Sequence, residues 1–136
     1  MAYVNQELKA KLAPRIKEIC KKHGVKATLA VRHHSTLVLN IRQGQIDFIG
    51  NFNSVAGKLP RPEHLPFQPA TKSIDVNTYW YKEHFSGAAL KFLNEVMPVL
   101  NDGNWDKSDV QTDYFNVGWY VDVNIGQWDN PYALEK

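Results

Sequence analysis

Apolar residues recur at helical spacing near the start of the chain and predict a helix from about Asn5 to His23. Gly24 is the predicted terminator, because glycine adopts the left-handed conformation that ends many helices. Pro14 lies inside the pattern, and it either kinks one helix or opens a second one. The apolar stripe comprises Leu8, Leu12, Ile16 and Ile19.

Two stretches of alternating side chains follow and predict a β-hairpin. In residues 25–32, VKATLAVR, one face is apolar and the other is mainly basic or polar. Residues 36–42, TLVLNIR, repeat the pattern, and the intervening HHST is short enough for a hairpin loop. The segment QIDFI at 45–49 either extends the second strand or forms a third.

The middle of the chain mixes irregular and regular patterns. Residues 50–72 contain four prolines and predict a long loop that is either functional or mobile and that can cover the core. Residues 73–80, SIDVNTYW, predict another strand. A second helix is predicted over about 82–100, where Pro98 should distort or end the last turn. The buried face of the strand at 73–80 would comprise Ile74, Val76 and Trp80.

Apolar and mainly polar side chains alternate in residues 113–129, DYFNVGWYVDVNIGQWD, which is the longest such stretch of the chain. This pattern predicts a long strand with one buried and one exposed face. The face predicted to be buried comprises Phe115, Val117, Trp119, Val121, Val123 and Ile125, and the exposed face comprises Tyr114, Asn116, Tyr120, Asp122 and Asn124.

The order of these elements predicts an α+β fold, with a mostly antiparallel sheet of about four strands and two helices packed on one face. A chain of 136 residues fits a single domain, expected to span 1–136 with the proline-rich loop at about 50–72 inside it. No apolar run reaches membrane-spanning length and no signal-peptide core is present, so a cytoplasmic location is expected. Cys20 is the only cysteine, which excludes an intrachain disulfide.

Charge is distributed unevenly along the chain, although the net charge is only +2. Residues 1–45 carry a balance of +7, residues 46–74 of +1 and residues 75–136 of −6. Such asymmetry either marks a basic binding surface or reflects two halves that face each other in one fold and partly cancel.

The basic residues of the first helix and hairpin form the candidate binding site. Lysine and arginine on one surface attract phosphate groups, so nucleic acid is the first candidate partner. A pI of about 8.6 is modest for a nucleic-acid-binding domain, and the aromatic residues lie mainly in the other half of the chain. No cofactor is predicted. The candidate residues are Lys17, Lys21, Lys22, Lys26, Arg32 and Arg42.

Metal chemistry has weak support in the sequence. The five histidines lack the spacing of metal ligands. Residues 102–113 place oxygen-bearing side chains at the ligand positions of a calcium loop, but Lys107 replaces the glycine of the turn and a strand follows instead of a helix. An acidic turn is the favoured interpretation. The weak calcium-loop candidates are Asp102, Asn104, Asp106, Ser108 and Asp113.

An enzyme is the competing functional class. Asp122 lies two residues after Tyr120, on the same face of the last predicted strand, and would be a candidate general base if this face were covered. On an open face the same carboxylate is an ordinary solvated residue, which is the favoured interpretation, so no catalytic residue is assigned. A concave site that gathers Asp122, Tyr120 and a histidine would favour the enzyme instead.

Two segments resemble small proteins of tailed phages and accessory domains of the large polyvalent proteins that phages and conjugative elements carry. They are GVKATLAVRHHSTLVLNIRQG at 24–44 and SDVQTDYFNVGWYVDVNIGQWDNPY at 108–132. The matching features are structural, and no active-site residue transfers. The resemblance implies a mobile-element protein that acts inside a bacterial cell. We therefore expect a non-enzymatic accessory protein that binds a host macromolecule, either nucleic acid or a host defence or nucleic-acid-processing protein.

Overall fold

The computed structural model describes residues 3–60, 63–64, 66–104, 118–127 and 129–134. These residues form an α+β fold, which confirms the predicted class, with four helices and five strands among them where about two and four were predicted. No helix in the described ranges is both long enough and apolar enough to cross a membrane. The elements are α1 Gln6–His23, β1 Val25–Arg32, β2 Thr36–Gly44, α2 Phe48–Ala56, β3 Ile74–Val76, α3 Tyr81–His84, α4 Gly87–Leu100, β4 Tyr120–Ile125 and β5 Ala133–Leu134.

The first helix begins and ends where the sequence predicts. The Asn5 side chain accepts a hydrogen bond from the backbone N–H of Leu8 at 2.9 Å, which satisfies a free donor of the first turn. Gly24 ends the helix with a φ of 68°, and its N–H bonds to carbonyls of the last turn. Pro14 lies inside the helix, so it neither ends α1 nor opens a separate helix.

The sheet is mixed, so the prediction of a mostly antiparallel sheet is only partly right. The strand order is β1-β2-β4-β3. β1 and β2 are antiparallel, as are β3 and β4, but the central strands β2 and β4 run parallel. The chain between β2 and β4 includes α2, β3, α3 and α4, and such a long connection allows it to return in the same direction. Alternation along a strand does not encode that direction.

The short strand β5 extends the sheet beyond the end of β4. It pairs with Gln43 and Gly44 at the end of β2, just past the point where β4 leaves. Gly126 makes the bend between β4 and β5, with a φ of 70°. A Cβ at this position would lie 2.4 Å from the backbone nitrogen of Tyr132 and 2.7 Å from the carbonyl oxygen of Lys72. Only glycine fits this bend without displacing backbone.

The helices pack on one face of the sheet. Leu12, Phe48, Tyr81 and Phe92, one from each helix in chain order, belong to a single buried cluster. Strand residues of that cluster alternate along the chain, so they share one face. They include Leu37, Leu39, Ile41, Ile74, Val76, Val123 and Ile125. The opposite face, here the open face, is polar and carries Thr28, Arg32, Asn40, Asp75, Asp122 and Asn124.

Residues 48–56 form α2, so the predictions of a strand extension and of a loop from residue 50 are both wrong there. Asp47 caps the helix by accepting a hydrogen bond from the N–H of Gly50 at 2.9 Å. Phe48, Phe52 and Ala56 recur every four residues, and Phe48 is completely buried. The glycine and asparagines between them suggested a loop, but tertiary burial of the aromatic face outweighs their low helix propensity.

The predicted second helix is divided into α3 and α4. Phe85 and Ser86 between them have extended backbone, with φ near −135° and −143°. Pro98 lies inside α4, which continues to Leu100. Trp80 was predicted on the buried face of a strand, but β3 has ended by then and Trp80 is 58% exposed.

Candidate functional site

Three of the six basic candidates share one groove. Lys17 and Lys21 on α1 and Lys26 on β1 line a groove between that helix and that strand. Arg42 lies elsewhere, exposed on β2 at the point where the pairing with β1 skips one residue. The basic residues therefore do not form the single hairpin surface that the sequence suggested.

The remaining two basic candidates, Lys22 and Arg32, form ion pairs with acidic residues. Lys22 lies 2.5 Å from a carboxylate oxygen of Glu95 on α4, and His23 contacts the other oxygen. Hydrogen bonds from Lys22 and then from His23 hold the pKa of Glu95 below its usual range. Arg32 donates a hydrogen bond to Asp122 at 2.9 Å.

A charged row crosses the open face from β1 to β3. Arg32 at the end of β1 reaches across β2 to Asp122 on β4, and Asp75 on β3 lies beyond it. Partial burial raises the pKa of Asp75, the charge of Asp122 and a hydrogen bond with that carboxyl raise it further, and Arg32 lowers it. One arginine thus serves two carboxyl groups, so the row has no excess positive charge to attract a phosphate.

The surroundings of Asp122 do not resemble those of a general base. Its carboxylate is already bonded to Arg32, and neighbouring Tyr120 is 45% exposed. Asp75 and Asn124 line an open cleft of about 450 Å³ with Gln127. Within the described parts of the chain, no three His, Cys, Asp or Glu side chains gather closely enough to hold a metal ion.

The weak calcium-loop candidate falls largely outside the described residues, which include only Asp102 and Asn104 of the proposed ligands. Asp102 lies 2.5 Å from Arg15 of α1. Asn104 both donates to and accepts from the backbone of Trp119, at 3.0 and 2.9 Å. These contacts give both side chains structural roles. Asp106, Ser108 and Asp113 lie outside the described residues.

A tight turn of two histidines connects β1 to β2. His33 and His34 have φ of 54° and 55°, and the N–H of Ser35 bonds to the carbonyl of Arg32 at 3.2 Å. Two successive residues with positive φ match the twist of a β-hairpin, but the conformation is strained in residues other than glycine. The carbonyl of His34 accepts a bond from the N–H of Val4 at 2.7 Å, which helps to hold the turn. Both imidazoles remain exposed.

Exposed aromatic side chains lie at the same end of the sheet as this turn or follow a strand that is directed toward it. Tyr120 is the first residue of β4 and lies opposite Thr36, the first residue of β2. The N–H of Tyr3 bonds to the carbonyl of Gly118 at 2.8 Å, which places the start of the chain beside it. β3 runs antiparallel to β4, so the chain leaves β3 at Val76 in the direction of this end, and Tyr79 and Trp80 follow. We call this set the aromatic end: Tyr3, Tyr79, Trp80 and Tyr120.

The aromatic end accounts for most of the large apolar side chains exposed in the described residues. Four of the five belong to it, and the fifth, Leu134, lies at the opposite end of β2. Tyr79 is 76% exposed and Trp80 is 58% exposed. Several large exposed aromatic groups in one region of a surface, in contrast to single scattered ones, mark a candidate binding surface.

Two neighbouring exposed aromatics, Tyr79 and Trp80, are held by a short structured turn. The side-chain oxygen of Asn77 accepts hydrogen bonds from the N–H groups of Tyr79 and Trp80, at 2.9 and 3.0 Å. The carbonyl of Trp80 in turn accepts a bond from the N–H of Glu83 at 2.9 Å, at the start of α3. Because the backbone of this turn is already fixed, the segment loses less conformational entropy when it binds a partner.

Sequence reasoning missed the aromatic end because its members lie far apart in the chain. Alternation puts Trp80 on a buried face, and it puts Tyr120 on an exposed face without relating it to the other three residues. The one available signal was local, since asparagine two residues before Tyr79 is typical of a side-chain-capped turn. The pairing of β3 with β4, which directs Tyr79 and Trp80 toward Tyr120, is a matter of strand order that alternation does not give.

Comparisons with known proteins give no match, so function has to be argued from the fold and the surface alone. No protein-family model, no curated protein and no solved structure matches this chain. The resemblance to phage and mobile-element proteins therefore stays a prediction.

Proposed function

We propose that this protein is a non-enzymatic accessory protein that binds a host protein through its aromatic end. The observation that carries the proposal is the exposure of Tyr3 and Tyr120 at the histidine-turn end of the sheet, together with that of Tyr79 and Trp80 after a strand directed toward it. Host origin of the partner follows from the predicted resemblance to mobile-element proteins.

The chemistry of this end suits a protein interface. Tryptophan, tyrosine and arginine are the residues that most often dominate binding energy at such interfaces. Arg32 ends β1 beside the histidine turn, so it borders the same end of the sheet. Its ion pair with Asp122 leaves it 51% exposed and fixes its position. Fixed aromatic and guanidinium groups bind a complementary surface with little loss of side-chain entropy.

A protein partner is favoured over nucleic acid by the charges at this end. Nucleic-acid affinity depends on cations that neutralise phosphates. Arg32 is engaged by Asp122, with Asp75 close by, and the lysines of the candidate site lie on α1 and at the start of β1. Aromatic rings without a surrounding excess of positive charge match a polypeptide surface better than a phosphate backbone.

The test is affinity capture from nuclease-treated bacterial lysate with wild-type protein and two variants. The double variant Tyr79→Ser, Trp80→Ser removes two adjacent exposed rings of the aromatic end. We expect it to recover the main captured protein at least about tenfold less well than wild type, since hot-spot truncations cost about 2 kcal/mol or more. Leu134→Ser is the matched control, because it removes an exposed apolar side chain from the far end of the sheet.

Three outcomes contradict the proposal. Equal recovery by all three proteins would remove the aromatic end from the interface. Capture that is seen in untreated lysate but is lost in nuclease-treated lysate would favour nucleic acid as the partner. A dimer in sedimentation experiments that is lost only in the double variant would assign the surface to a second copy of this chain. Unchanged melting temperatures of both variants are the required folding control.

A further inference from the structure

A second surface, independent of the aromatic end, lies between α1 and β1. The two elements form the walls of an open groove of about 570 Å³. The helix contributes one face at regular spacing, and the strand contributes its first residues. We call this the α1–β1 groove, and its apolar lining includes Ala13, Ile16, Cys20, Val25, Ala27 and Leu29.

One wall of this groove is an edge strand. β1 pairs with β2 along one side, and it stands at the end of the strand order in the described part of the chain. It is eight residues long and contains no proline, and its one register shift lies between Lys26 and Ala27. A long edge with backbone donors and acceptors directed outward is a template for an additional strand.

The rim of the groove is basic while its lining is apolar. Lys17 and Lys21 lie one turn apart on α1, and Lys26 lies on the strand. Within the described residues Lys17 and Lys21 make no ion pair with an acidic side chain, in contrast to Lys22. Such a groove complements a segment with apolar side chains on one face and acidic side chains near the lysines.

We propose that an extended segment of a partner protein adds to β1 as a further strand in the α1–β1 groove, with apolar and acidic side chains at the alternate positions that face the groove. Backbone hydrogen bonds to β1 would give affinity, and alternate side chains would enter the apolar groove, because successive residues of a strand point to opposite sides. A helix beside an open strand edge is a recurring arrangement for this mode of binding.

The first experiment selects ligands without assuming a sequence. Random peptides of eight residues, the length of β1, are selected by display against the folded full chain. We expect enriched peptides to carry apolar and acidic residues at every second position, on the side that faces the groove. Changing Lys17→Glu together with Lys21→Glu should then weaken the best peptide at least about tenfold. Lys9→Glu together with Lys11→Glu, the same charge change on the same helix outside the groove lining, should leave affinity within about twofold.

The second experiment tests backbone pairing directly. Two versions of the best peptide are N-methylated, one at odd and one at even positions, so that side chains stay unchanged. Alternate amides of an added strand face β1, so one version should lose about tenfold or more in affinity while the other stays close to the parent.

Several results would overturn this inference. They are no enrichment of any peptide, enriched peptides without alternation, equal affinity for the two lysine double variants, or equal effects of the two methylation patterns. The Tyr79→Ser, Trp80→Ser variant separates the two surfaces. It should bind the selected peptide as wild type does, and a loss there would place the peptide on the aromatic end instead.

Discussion

At the scale of single residues, burial makes the only cysteine unreactive. Cys20 lies on the buried side of α1 and is 5% exposed. Burial raises the pKa of its thiol to about 11. The thiolate is the reactive form, and a pKa two units above the unperturbed 9.0 reduces it about 100-fold at neutral pH. We expect native protein at pH 8 to react with a thiol reagent at least about 100-fold more slowly than denatured protein. Similar rates in both states would show that the thiol is accessible.

The carboxyl of Asp75 should make stability depend on pH. Its pKa is raised in the folded protein, so the native state binds a proton more tightly than the unfolded chain does. Stability therefore falls as pH rises above the usual aspartate range near about 4. We expect Asp75→Asn to raise the free energy of unfolding at pH 7, by less than about 1 kcal/mol because the site is exposed. The gain should vanish near pH 3, and a loss of stability at pH 7 would contradict this account.

At the scale of elements, the bend between β4 and β5 depends on one glycine. Gly126→Ala adds a Cβ that meets backbone atoms of two other segments, in addition to the strain of a positive φ. Gly87→Ala is the matched control, since Gly87 has φ 54° but a Cβ there would have no neighbouring atom within 4 Å. The control should cost about 1–2 kcal/mol for the left-handed backbone. Urea unfolding should show a larger decrease in the free energy of unfolding for Gly126→Ala than for Gly87→Ala. Equal decreases would show that the added Cβ does not clash with the backbone of Tyr132 and Lys72.

Local patterns were sufficient for α1, β1 and β2, where periodicity, a capping asparagine and a terminating glycine agree. They failed for α2, because its helical content depends on burial of Phe48 against distant aromatic rings. They also failed at the second helix, which breaks at Phe85 and Ser86. The parallel pairing of β2 with β4 is a long-range choice that alternation does not specify.

At the scale of the whole molecule, the basic and acidic parts of the chain face each other. Arg15 pairs with Asp102, Lys22 with Glu95 and Arg32 with Asp122, each across more than 70 residues of sequence. The lopsided charge of the sequence is thus partly cancelled within the fold. The sequence identified Lys17, Lys21 and Lys26, which the fold does bring together, but the aromatic end depends on topology and was not predicted.

The most direct test of the central claim places a photo-crosslinking amino acid at the aromatic end. p-Benzoylphenylalanine replaces Trp80 in one protein and Leu134 in a control, and both are irradiated in nuclease-treated bacterial cell extract. The account predicts one discrete protein adduct from position 80 that is absent from position 134. It also predicts that excess unlabelled wild-type protein suppresses the adduct and that excess Tyr79→Ser, Trp80→Ser protein does not. The same adducts from both positions, or none from position 80, would contradict it.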